Sequence, residues 1–172
     1  MSATWSHPFW RILHVIAEKH TNSTNNPLII AFLNNLPNVI PCGKCQLHTK
    51  TYLIGHQLKG PPVAPVPIPK RLFRGMPMAV TPPVLTRYSW EPVEFKKWVW
   101  EFHAAANKSA GADSTTSYDT LTTLYGSIDV SEDIKALIDY ITKYMLTYGG
   151  IRIDHFQDFK THLTKLREIY GF

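Results

Sequence analysis

Apolar positions recur at helical spacing along most of the chain. Phe9, Leu13, Ile16 and Ala17 predict a helix over 5–20, with Pro8 in its first turn, where a missing N–H costs nothing. Leu28, Ile29, Phe32 and Leu36 predict a second helix over 26–36, capped by Asn25 or Asn26 and started by Pro27. A third is expected over 42–58, directly after Pro41, and a fourth over 91–109, opened by Glu91 and Pro92. A short helix at 117–125 precedes two longer ones at 131–147 and 153–170. The stripe Leu137, Ile138, Ile141, Met145 marks the first of these, and Phe156, Phe159, Leu163, Leu166 the second. No segment alternates as a strand would, and no unit repeats. The predicted class is all-α.

The pattern breaks between 60 and 92, which hold nine of the thirteen prolines and read as an irregular excursion. This divides the chain into a helical domain over 1–126, interrupted by a proline-rich insertion at about 60–90, and a C-terminal helical extension over 127–172. The 172 residues suffice for one domain of about 100–150 residues and an appendage. With 44% hydrophobic and 18% charged residues, the composition is neither disordered nor fibrous. The net charge of +5 is spread over scattered lysines and arginines with no basic-aromatic module, so no nucleic-acid partner is expected; an anionic cofactor or plain solubility accounts for the charge equally well. No apolar run approaches the roughly 18 residues that span a bilayer, and the first residues lack a basic segment followed by an apolar one. The expectation is a soluble chain with no membrane partner and no cleavable leader.

The only two cysteines, Cys42 and Cys45, are three positions apart. A bridge between them closes almost no loop, so its value lies in chemistry rather than stability. At a helix N-terminus, free N–H groups and the helix dipole stabilise a thiolate, the nucleophile of disulfide exchange. His48 follows at i+3, and the three side chains supply part of a zinc set that His14, His103 or a carboxylate would complete. Two idle reduced thiols are the plain alternative. Gln46 in place of a histidine excludes c-type haem attachment, and the lack of a preceding strand argues against a thioredoxin-like unit. Trp10 and His14 form an i,i+4 pair, and Trp100, His103 and Asn107 an i,i+3,i+7 stripe. Taken singly, each reads as core packing. Taken together, flat aromatic and imidazole faces on several helices suit a planar heterocycle.

Three blocks then resemble, in order, the Erv/ALR sulfhydryl oxidases: Trp10-x-x-Leu13-His14-x-x-Ala17, Pro41-Cys42-x-x-Cys45-x-x-His48 with Tyr52 beyond, and Trp98-x-x-x-Phe102-His103-x-x-x-Asn107-Lys108. Gly111 resembles the glycine after that asparagine, and Tyr118 and Tyr125 the aromatics of the family's short fifth helix. The resemblance implies a four-helix bundle with a short fifth helix, holding FAD non-covalently, to which this chain adds its C-terminal extension. It implies a thiol oxidase that forms disulfides in protein substrates while reducing O2 to hydrogen peroxide. Carried across, Cys42 is the outer cysteine that substrate thiols attack and Cys45 the cysteine beside the flavin. Trp10, His14, His48, His103, Asn107, Lys108, Tyr118 and Tyr125 would line the cofactor. The family commonly forms homodimers through its first two helices. No second cysteine pair is present, so the enzyme would meet its substrate directly or work beside a separate dithiol carrier protein. The additions beyond the core resemble those of oxidases encoded by large DNA viruses, which would place the protein in host cytoplasm or virion; otherwise the mitochondrial intermembrane space is expected. The rival readings are a zinc-binding module and a non-catalytic helical interaction module.

Overall fold

In the computed structural model, residues 5–56, 58, 90–112 and 117–172 are described. Helix α1 covers Ser6–Lys19, and a 3-10 turn at Ser23–Asn25 leads into α2, Asn26–Val39. Then follow α3 (Gly43–Gly55), α4 (Pro92–Ser109), α5 (Tyr118–Tyr125), α6 (Ser131–Tyr148) and α7 (Ile153–Tyr170). No strand occurs among the described residues. The fold is an all-α bundle. The proline-rich insertion expected at about 60–90 lies outside the described residues, apart from Trp90, which is buried.

Local chemistry explains most helix ends. The Glu94 carboxylate accepts from the Glu91 N–H at 2.8 Å, satisfying a donor at the start of α4, where Pro92 needs none. The Ser117 hydroxyl accepts from the Thr120 N–H at the start of α5. At the end of α4, Gly111 takes φ +72°; its N–H bonds the Lys108 carbonyl and the Ala112 N–H bonds that of Asn107, a Schellman closure. One boundary departs from expectation. Helix α2 runs three residues beyond Leu36 and takes Pro37 inside, although proline removes a ladder hydrogen bond. Burial of Val39 and Ile40 offsets that loss, at roughly 1.5–3 kcal/mol for each side chain.

Helices α1 and α6 are antiparallel: Arg11 pairs with Asp133 at 3.3 Å, while Trp5 and Phe9 meet Leu137 and Ile141 around a small cavity. Helices α2 and α7 are antiparallel too. Phe32 stacks on Phe159 at 5.5 Å, and the Asn35 side-chain amide donates to the His155 carbonyl at 2.7 Å. On the other side, α4 lies against α1 through Lys96–Glu18 (2.7 Å) and the Trp10–Phe102 ring contact. It meets α3 where the Trp98 indole N–H donates to the His56 carbonyl. The residues of 127–172 thus share one hydrophobic core with α1, α2 and α4. No helix among the described residues is long and apolar enough to cross a membrane.

These pairings put the start of α1, the end of α2, the start of α3 and the α6–α7 turn at one end of the bundle. Pro41 lines the same small cavity as Ile141 and Phe159, and so fixes Cys42 at that end. At the opposite end His20, fully buried, lies 2.7 Å from the Tyr170 hydroxyl and against the rings of Trp90 and Phe95.

Candidate functional site

Cys42 is the N-cap of α3, with extended backbone (φ −166°, ψ 109°), and its Sγ accepts from the Cys45 N–H at 3.2 Å. The two cysteines are disulfide-bonded across a Cα–Cα distance of 5.2 Å. The turn that presents them is held from below: the Cys42 N–H and the Gln46 side-chain amide both donate to the Ile40 carbonyl, at 2.8 and 2.9 Å. Both sulfur-bearing residues are half-buried at the edge of the core, while Gly43 and Lys44 between them are exposed. A thiol from solvent therefore meets a small, accessible disulfide on a helix N-terminus, where the departing thiolate is stabilised.

Rows from α1, α4 and α5 converge in a second cluster. Trp10 stacks on His103 almost in parallel, with centroids 4.2 Å apart and planes 8° apart. His103 Nδ1 lies 3.0 Å from His14 Nε2, and His14 stacks in turn on Tyr125 at 4.8 Å. Burial, reinforced by the neighbouring His103, lowers the His14 pKa to about 3, and burial lowers that of His103 to about 4. Both rings are neutral at physiological pH, so one donates to the other. The Tyr125 phenol is pushed up by burial and stays protonated.

Tyr52 joins this cluster to the disulfide helix. It lies seven residues after Cys45, on the same face of α3, and stacks on Phe102 at 4.7 Å; Phe102 in turn meets the Trp10 ring at 5.0 Å. Burial, with Glu101 adding to it, pushes the Tyr52 pKa up to about 12. Its buried hydroxyl has no hydrogen-bond partner among the described residues. The site therefore holds a set of flat faces, a neutral imidazole pair and an unused phenolic donor.

Of the residues singled out from sequence, Trp10, His14, His103 and Tyr125 come together, and Cys42 and Cys45 are bonded. His48 is half-buried one turn beyond Cys45. Asn107 continues the His103 row by one turn, and Lys108 beside it is exposed. Tyr118 lies apart from the stack, edge-on to Trp100 at 6.1 Å. Gly111 is explained by its backbone, as the left-handed residue that closes α4. Phe102 and Tyr52 stand in the sequence only as parts of motif blocks; their connecting role comes from the packing, although the i+7 spacing of Tyr52 from Cys45 is a usable signal. Among the described residues no three His, Cys, Asp or Glu side chains converge as a metal site would require. Comparison of the chain with models of known families, with curated proteins and with solved structures finds no match.

Proposed function

We propose that the chain is an FAD-linked thiol oxidase of the Erv/ALR type, forming disulfides in protein substrates and delivering the electrons to O2 to give hydrogen peroxide. The observation that carries this reading is the bonded Cys42–Cys45 pair on a helix that Tyr52 and Phe102 tie to the Trp10/His14/His103/Tyr125 cluster. A redox disulfide alone suits several chemistries. A disulfide on a helix joined through Tyr52 and Phe102 to a neutral, aromatic and imidazole-lined cluster favours a flat, electron-accepting heterocycle.

In the proposed exchange a substrate thiolate attacks Cys42 Sγ, the Cys42–Cys45 bond breaks, and Cys45 leaves as a thiolate. A second substrate thiol attacks the resulting mixed disulfide and releases Cys42. Two substrate thiols have then become one disulfide, and two electrons and two protons rest on the cysteine pair. Bound FAD would supply the two-electron acceptor that returns the pair to the disulfide and passes the electrons to O2. Trp10 and Tyr125 offer ring faces to such a group, and His14, His103 and the unpartnered Tyr52 hydroxyl offer hydrogen bonds to its edge. Lys108, exposed in the last turn of α4, suits a phosphate. His48, Asn107 and Tyr118 are assigned by resemblance alone.

The homodimer implied by the resemblance would use the first two helices, whose apolar faces α6 and α7 cover in this chain. A homodimer of the proposed enzyme would therefore use surfaces of α1 and α2 that α6 and α7 leave open. The test is direct. Purified protein should show a flavin absorbance spectrum and consume oxygen with dithiothreitol, and Cys45→Ser should retain the flavin while losing turnover. A colourless protein that releases no flavin on denaturation would refute the reading.

A further inference from the structure

Charge is segregated along this chain. Between Glu18 and Glu91 there is no aspartate or glutamate, yet eight lysines and arginines lie in that stretch, and so does the disulfide. In the described part of that stretch Lys19, Lys44 and Lys50 carry the charge, the last two on α3 beside the disulfide. Lys44 and Lys50 are exposed on α3, and Leu47 and Ile54 run down the outer side of that helix, 66% and 62% exposed. The α6–α7 turn, at the same end of the bundle, adds Leu146 and Tyr148 at 83% and 73% exposure and Ile153 at 66%. Lys143 is exposed beside them. Asp139 is exposed one turn before Lys143 on α6, and Asp154, next to Ile153, is engaged by Arg152 through two hydrogen bonds.

Exposed apolar side chains flanked on α3 by Lys44 and Lys50, which have no carboxylate partner among the described residues, mark a surface that meets something apolar and acidic. The disulfide restricts what that can be. No third cysteine lies in these 172 residues, and under the thiol-oxidase reading the substrate thiol that reaches Cys42 must cross this end of the bundle. We infer that this end is the docking surface for an extended, acidic polypeptide segment whose cysteine sits among apolar residues. Leu47 on one side, with Ile54 two turns further along α3, and Leu146, Tyr148 and Ile153 on the other, receive its apolar side chains, while Lys50 and Lys143 receive its carboxylates. An anionic bilayer shares that chemistry but brings no thiol to Cys42, and a second copy of this chain would set like charges against each other. The inference rests on the thiol-oxidase reading, which it supplies with a substrate class.

The experiment uses the full chain and oxygen uptake, with dithiothreitol and with two dithiol peptides that differ only in glutamate or lysine flanks. The acidic peptide is expected to have a kcat/KM at least roughly tenfold higher at about 0.02 M salt, with the advantage largely lost at about 0.5 M. Leu146→Ser with Tyr148→Ser, and separately Lys50→Glu with Lys143→Glu, should raise KM for the acidic peptide about fivefold or more while leaving the dithiothreitol rate unchanged. Equal turnover of the two peptides overturns the inference. So does a concentration-dependent dimer in sedimentation that these variants abolish, or binding to phosphatidylserine vesicles that they abolish while the peptide KM stays constant. Failure to oxidise dithiothreitol would instead sink the oxidase reading, and peptide affinity measured by fluorescence anisotropy would still decide the docking surface.

Discussion

Lowering the pH from 7.5 to 4.5 should destabilise this bundle through the His14–His103 pair. An unfolded histidine binds its proton near pH 6.5, whereas in the folded chain burial holds His14 near 3 and His103 near 4. As pH falls through 6.5 the unfolded state gains protons that the folded state refuses. The stability linked to this pair is therefore complete above pH 6.5 and is lost as pH drops towards the folded values. At pH 4.5, two units below the unfolded pKa, the loss is about 3 kcal/mol for His14. For His103, which is partly exposed and so discounted for solvent screening, it is about 2 kcal/mol. A total of about 4–5 kcal/mol is a large part of the roughly 5–15 kcal/mol that a domain possesses. Asp154, held at about 2 by Arg152, stays ionised throughout this range and adds little. Urea unfolding followed by far-UV circular dichroism should show the loss, and His103→Phe should reduce the pH dependence by about 2 kcal/mol. Equal losses in the two proteins would refute the assignment, as would a stability independent of pH over this range.

Phe159→Ala removes the ring that stacks on Phe32 between α2 and α7 and should cost about 3–5 kcal/mol, read as a lowered urea midpoint; a change under about 1 kcal/mol would contradict the packing described. Tyr170→Phe leaves the buried His20 Nδ1 without its partner at 2.7 Å, and a loss of about 1–3 kcal/mol is expected in the same assay. Gly111→Ala meets no neighbouring atom, so its cost is that of the left-handed backbone alone, about 1 kcal/mol, measured as a fall of a few degrees in Tm.

Helix positions were legible because burial follows the apolar repeat, as with Leu137 and Ile141 in α6 or Phe156, Phe159, Leu163 and Leu166 in α7. The end of α2 was not, because Pro37 reads as a stop and only the tertiary burial of Val39 and Ile40 carries the helix through it. In the site, the Trp10/His14 and His103 rows could each be seen, but that they face one another is a property of how α1 packs on α4. His20 carried no local signal at all, since its partner stands 150 positions away. Nor could spacing reveal that α6 and α7 bury α1 and α2, because two stripes can be matched only in three dimensions.

That last pairing governs the order in which the molecule comes into being. α2 leaves the ribosome well before the helix that covers it, α7, which begins only at Ile153. Closing such separations costs loop entropy before any contact is gained, so folding is expected to be slower than in bundles whose neighbours in space are neighbours in sequence. At usual synthesis rates, the interval between the two helices is on the order of ten seconds. For that time Cys42 and Cys45 are already made, and their bridge can form or exchange before the bundle that shelters it exists.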